Sequence, residues 1–293
     1  MNAAKLDSLL IMLEKIARQQ RDIIDKEAKE YFEKSPLVHN PLALRAMLSE
    51  VRHSQNHSSY IPVTDFKKNS YAYYLNVMFD ASFSMRGVES LIREVIRLGV
   101  LPPLDPSNKR KRQPGSDELY IELAKYGDRV QTMIPYLPYK VVKHFDTSAY
   151  YSGGKRDVLA ALMHQLTSLY YRKVYAQAYD LDSKSYGLLL VDGHSSESVY
   201  DIDQVRAVCS SVLSDEWDTN FTIIATNPEA VNLLTDLGFT KRKELILLEG
   251  KDDNPLKFAH ELTHLIHDSI KHMLTRKYYA DGSGKYYASK LSA

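Results

Sequence analysis

The sequence predicts an α/β fold, a mostly parallel central sheet flanked by helices with a helical extension on its N-terminal side. Three observations predict it. From Tyr71 onward, strand-length apolar runs alternate with segments of helical period, as crossover connections between parallel strands require. Two of those runs, ending at Asp80 and Asp192, stop abruptly on a carboxylate, as strands feeding loops do. Before Tyr71 the pattern is helical only.

Taken in order, apolar positions from Leu6 to Phe32 recur at three and four residues with Lys, Arg, Asp and Glu between them, which predicts one long amphipathic helix. Ser35-Pro36 ends it. A second helix is expected from Pro41 to His53, the proline falling in its first turn. The polar stretch HSQNHSSYIP then leads into the sheet region. Strands are expected at 72 to 79, 118 to 126, 186 to 191, 220 to 226 and 244 to 249, with RVQTMI, 129 to 134, as a hairpin edge. Helices are expected at 85 to 98, 156 to 175, 201 to 214, 228 to 237 and 255 to 275. The Pro-rich and charged segment 101 to 116 reads as a surface loop. The implied units are a helical extension over 1–70, an α/β domain over 71–275 and a flexible tail over 276–293.

Composition sets outer limits. With 293 residues, 44% apolar and 26% charged, the chain has ordinary globular usage. A formal charge of +1 gives no global field to draw it onto nucleic acid or an anionic membrane, so neither partner is expected. The single Cys209 cannot form an internal disulfide, and the sequence shows no secretory leader pattern and no apolar run of ~18 residues. A soluble, cytoplasmic protein is expected.

The strand ends hold the chemistry. In an open parallel sheet, ligands collect at the carboxyl ends of the strands, near the point where strand order reverses. Asp80 ends the first strand and is followed by Ser82 and Ser84; YGLLLV ends on Asp192-Gly193; SGGKRDVLAAL sets Gly153-Gly154 before a helix start. Carboxylates and hydroxyls on one rim suit a hard divalent cation, Mg²⁺ more than Zn²⁺. The same residue types also serve as helix caps, the plainest alternative for Asp80, Ser82 and Ser84.

DASFSM resembles the Asp-x-Ser-x-Ser motif of von Willebrand factor A (VWA) domains, which opens their metal-ion-dependent adhesion site (MIDAS). LLLVDGHSS is similar to the element carrying that site's later aspartate, and SGGKRDVLAAL to the Gly-Gly-Thr helix start carrying its threonine. The resemblance covers roughly Tyr71 to Thr275. It implies a doubly wound, Rossmann-like VWA fold and a non-enzymatic protein-interaction module. Asp80, Ser82, Ser84 and Asp192 would be the metal-site residues, holding Mg²⁺ or another divalent cation such as Mn²⁺ or Ca²⁺ that a partner's carboxylate completes. Resemblance to intracellular bacterial and phage members further implies a partner such as an AAA-type ATPase or a stress-response or assembly complex. The chain departs from the pattern where threonine is expected, with Lys155 or Arg156 in its place. A cation there would repel a metal by several kcal/mol even at an effective dielectric of about 20. Either it turns outward, or it replaces the metal and yields a metal-independent adaptor; Thr147, Ser148 and Ser152 lie upstream as alternative hydroxyls.

Three further features compete. HELTH, with His260, Glu261 and His264, matches the zincin His-Glu-x-x-His pattern, and His267 follows one turn on, so a zinc peptidase is a third reading. The helical period, however, sets Phe258, Leu262, Leu265, Ser269 and Met273 on the face opposite the histidines, which predicts a packed helix with the imidazoles in water. KRKR at 109 to 112 reads as a solvated loop or a basic patch. Tyr150 and Tyr151, beside the rim, are candidate partner anchors.

Overall fold

A computed structural model describes residues 40–54, 72–101, 119–142, 145–178, 183–213 except 194 and 196, 219–239 and 245–273, with scattered positions between 19 and 33. Most of the expected helix over 6–32, the polar loop after Ser54, the KRKR loop and the C-terminal tail lie outside the described residues.

The described strands are β1 (Ala72–Asp80), β2 (Leu119–Tyr126), β3 (Val130–Pro138), β4 (Ser183–Val191), β5 (Thr219–Ala225) and β6 (Leu245–Leu247). They form one sheet in the order β3-β2-β1-β4-β5-β6, parallel throughout except for β3, which runs antiparallel to β2 as the hairpin pattern predicts. The chain moves outward from β1 to β2 and β3, then returns to place β4 on the other side of β1. The order therefore reverses between β1 and β4, and the crevice a ligand would use opens above their carboxyl ends. β3 continues past the expected end at Ile134, through Pro135. It is the edge of the sheet among the described residues, and on an edge strand a missing N–H is tolerated.

Helices cover both faces. On one lie α1 (Pro41–His53), α3 (Val158–Ala178), α4 (Ile202–Val212) and α5 (Pro228–Asp236); on the other lie α2 (Glu89–Val95) and α6 (Pro255–Met273). This explains the unbroken apolar run of β4: Leu189 and Val191 enter the first core, Leu188 and Leu190 the second. Caps start the helices where the sequence places them. Asn40 and Asn227 each accept a backbone N–H ahead of a proline, and Asp201 makes a reciprocal capping box with Gln204. The expected single helix 85 to 98 is instead a 3-10 segment Phe83–Val88, then α2, then a π turn Ile96–Val100.

Helix α3 is buried nearly all round, and Phe32 packs edge-on against its Tyr170 and Tyr171. Residues Ala43, Ala46, Met47 and Val51 of α1 join the same core. Helix α6 buries Phe258, Leu262, Ile266 and Ile270 against α2 and the sheet, leaving His260 and His264 exposed, as the packed-helix expectation requires. Leu265 of that expected face is only partly buried.

Candidate functional site

The rim is built where β1 and β4 end side by side. Asp80, the last residue of β1, is fully buried. Its Oδ1 accepts from the Ser82 N–H at 2.8 Å, a local turn that bends the chain off the strand. Ser82 precedes the 3-10 segment without capping it, so the capping alternative does not account for its side chain. Its Oγ instead lies 3.1 Å from Ser84 Oγ, and Ser84 Oγ donates to Asp192 Oδ2 at 2.5 Å. The Asp192 N–H donates to Asp80 Oδ2 at 3.1 Å. All four residues singled out from the sequence thus meet in one hydrogen-bonded cluster.

Two cations complete it. Arg156 Nε donates to Asp80 Oδ2 at 2.8 Å and Nη2 to Asp192 Oδ2 at 3.1 Å, with a further bond from Nη2 to Ser84 Oγ. Lys251, in the turn after β6, donates to the same Asp192 Oδ2 at 2.6 Å and to the Ser84 carbonyl at 3.3 Å. The choice left open between Lys155 and Arg156 resolves on Arg156: Lys155 turns outward and pairs with Glu197 at 3.0 Å. Gly154, at φ +83°, sets that geometry by letting the Lys155 N–H reach Asp128, whose carboxylate would lie 2.7 Å from any Cβ at position 154. Gly193, at φ +109°, cradles the guanidinium; a Cβ there would stand 2.3 Å from Arg156 Nη1.

A second layer fixes the carboxylates. The Tyr126 hydroxyl donates to the Leu190 carbonyl at 3.1 Å and lies 3.3 Å from Asp80 Oδ2, tying β2, β1 and β4 together. The Tyr150 hydroxyl donates to the Asp80 carbonyl at 2.6 Å. Tyr150 is therefore fully buried and structural, whereas Tyr151 is exposed; only the second fits the anchor expectation. Thr226 Oγ1 donates to Asp192 Oδ1 and adds a further hydroxyl to those of Ser82 and Ser84 at the rim. Ser148 and Ser152 do not, because their hydroxyls bond Asp146 and Glu89. Sequence reasoning missed Thr226 and Lys251, yet both follow strands, β5 and β6, whose carboxyl ends open on the same rim.

Electrostatics divide the two carboxylates. Burial pushes Asp80 above the usual carboxylate range, against the pull of Arg156 and the Ser82 bonds. Burial acts on Asp192 in the same direction, but hydrogen bonds from Lys251, Ser84 and Thr226 outweigh it and hold its carboxyl below that range. Two carboxylates face two tethered cations, so the cluster is neutral within itself. The oxygen donors suit a hard cation, but the space between them is filled by guanidinium and ammonium groups. A divalent ion added to this arrangement would carry two uncompensated charges, and the residues present do not fit one unless Arg156 and Lys251 withdraw.

Around this cluster the rim is open. A cleft of about 660 Å³ is lined by Phe83, Arg156, Lys155, Glu197 and Val199, with Phe83 58% and Val199 85% exposed. Another, of about 480 Å³, lies between Arg156, Asn227, Glu229, Lys251 and Asp252. Elsewhere, the HELTH histidines are on the exposed face of α6, and Glu261 is 3.7 Å from Lys257 one turn earlier. A convex helix face with its glutamate beside a lysine is not the lined cleft a zinc peptidase needs. Among the described residues, no helix is long and apolar enough to cross a membrane.

No family model matches the sequence, and no curated protein matches it. The fold is similar to solved structures at low identity. Proximal thread matrix protein 1 from the mussel byssus matches at 11% identity and TM-score 0.45 over 70% of this chain and 46% of its own. A further structure of that protein is described with a zinc-occupied MIDAS motif. The human COPII-coat protein Sec24c matches at 8% identity and TM-score 0.45, over 69% of this chain and 33% of its own. The SpRpn10 VWA domain matches at 11% identity and TM-score 0.43, over 66% of this chain and 95% of its own. This chain thus spans about half the length of the first and a third of that of the second.

Proposed function

We propose that the protein is a non-enzymatic interaction module of VWA type, docking a protein partner on the β1–β4 rim without a divalent cation. The observation that carries this reading is the Arg156 bridge between Asp80 and Asp192, reinforced by Lys251. Those cations stand where the family pattern would put a metal and satisfy the carboxylates. Exposed Phe83 and Val199 beside them give a partner apolar contact area of the kind interfaces bury.

A second reading, a rim loaded with Mg²⁺ or another divalent cation, is favoured by the convergence of Asp80, Ser82, Ser84, Asp192 and Thr226 oxygens. One pair of experiments separates the two. A photo-crosslinker replacing Phe83 or Val199 should capture one partner equally with Mg²⁺ and with chelator, and one replacing exposed His53, on α1, should not. Capture lost in chelator would favour the metal-bearing rim; no capture from either rim position would end the interaction reading. In parallel, Mg²⁺ should leave the melting temperature unchanged. The Arg156→Thr/Lys251→Ala variant should gain a Mg²⁺-dependent rise, because a ligand bound only by the folded state stabilises it by about 2.7 kcal/mol at a hundred times its dissociation constant. Arg156→Thr alone should fall short, since Lys251 still holds Asp192.

A further inference from the structure

The HELTH helix has a use that needs neither protease chemistry nor the rim. His260 and His264 lie one turn apart on the exposed face of α6, and their Nε2 atoms face each other at 3.2 Å. The rings stand nearly perpendicular, at 80°, with centroids 4.4 Å apart. With a zinc–nitrogen bond of about 2.0–2.1 Å, two imidazole nitrogens 3.2 Å apart subtend about 103° at the metal, inside the range of tetrahedral and octahedral sites. An ion bound to both nitrogens would displace the hydrogen bond between them, and both rings would present a lone pair to it.

We propose that His260 and His264 form a bidentate site for a borderline transition-metal ion of the Zn²⁺, Ni²⁺ or Cu²⁺ class, with its remaining positions open to water or to a donor from another molecule. Imidazole ligands select these ions over Mg²⁺ and Ca²⁺, which take oxygen donors. The helix pre-organises the pair. Phe258, Leu262, Ile266 and Ile270 bury its opposite face, so the two histidines are held on a packed element rather than a loop. Glu261, beside Lys257, is not needed as a ligand.

The test is equilibrium dialysis of the full chain, without a histidine tag, against Zn²⁺ and separately against Mg²⁺. One Zn²⁺ per chain is expected. His260→Ala and His264→Ala should each weaken binding by at least about tenfold, since loss even of a group supporting a ligand costs that much. Both positions are exposed, so the variants should fold, and an unchanged far-ultraviolet circular dichroism spectrum checks this. His53→Ala, at an exposed position on α1, should bind as the parent does. Absence of Zn²⁺ binding, or Zn²⁺ held equally by the double variant, overturns the proposal. The Mg²⁺ titration of the rim reads a different site, so either reading can fail without the other.

Discussion

Replacing Arg156 with leucine tests the rim directly. Asp80 has no exposed side-chain surface, and Arg156 only 16%, so the pair at 2.8 Å is largely removed from solvent. Unit charges at that separation attract by about 6 kcal/mol at an effective dielectric of 20, an upper bound on what the substitution removes. Asp80 would keep the Ser82 and Asp192 N–H groups, and Asp192 would keep Lys251, Ser84 and Thr226. The loss therefore falls on Asp80, and breaking a buried pair from one side predicts a cost of about 3–5 kcal/mol in urea unfolding. The pH dependence follows with a definite sign. Without Arg156, burial is opposed on Asp80 chiefly by the Ser82 bonds and lifts its carboxyl further above the unfolded value, so the folded variant holds a proton the unfolded chain releases. The deficit should shrink as pH falls toward the acid range. In a double-mutant cycle, Asp80→Asn and Arg156→Leu should be less than additive by at least about 1 kcal/mol. A cost below about 1 kcal/mol for Arg156→Leu, or strict additivity, would refute the claim that this arginine is the counter-ion of the rim.

Gly193→Ala forces a Cβ against Arg156 Nη1 at a positive φ, and should cost about 1–3 kcal/mol, less in an Arg156→Leu background; equal costs in the two backgrounds would count against the cradle. His164, buried between α1 and β2, is lowered by burial but lifted more strongly by Glu122 and by Glu50, whose Oε1 is 2.8 Å from Nδ1, to about 9 from an ordinary 6.5. Because the folded value is the higher, its contribution is complete below pH 6.5 and lost as pH rises through 9, up to about 3 kcal/mol; a flat unfolding profile across that window would exclude the charged His164. On α6, Leu262→Ala should cost about 2–5 kcal/mol and Glu261→Gln under about 0.5 by chemical denaturation. Peptide cleavage abolished by Glu261→Gln would reinstate the peptidase reading.

The residues legible from the sequence are those whose position follows from the strand pattern alone. Asp80 and Asp192 each close an apolar run, and parallel pairing of β1 with β4 then sets them side by side whatever else the chain does. Phe258 and Leu262 are legible for a similar reason, because helical period fixes their face. Other features depend on distances the pattern does not carry. Lys251 meets Asp192 across 59 residues through a short strand, β6, whose register no local signal sets. The choice of Arg156 over Lys155 depends on the left-handed turn at Gly154, which decides which side chain faces the crevice. Tyr150 and Tyr151 look equivalent as a pair, yet alternate sides of an extended loop send one hydroxyl to the Asp80 carbonyl and leave the other ring exposed.

The cations at the rim also bear on how docking would be controlled. A metal-completed rim is filled by mass action, so its occupancy tracks the free ion concentration, and an open coordination position lets a partner's carboxylate join the metal directly. Arg156 and Lys251 are part of the chain, so a rim that they neutralise needs no ion from solution. Their donors already meet both aspartates, so a partner gains little by offering another carboxylate to the centre. Selectivity would then shift outward, to the shape of the cleft and to Phe83 and Val199. Because those contacts are apolar, affinity at this rim should vary weakly with salt and with chelator, whereas a metal-bridged carboxylate would be lost on chelation.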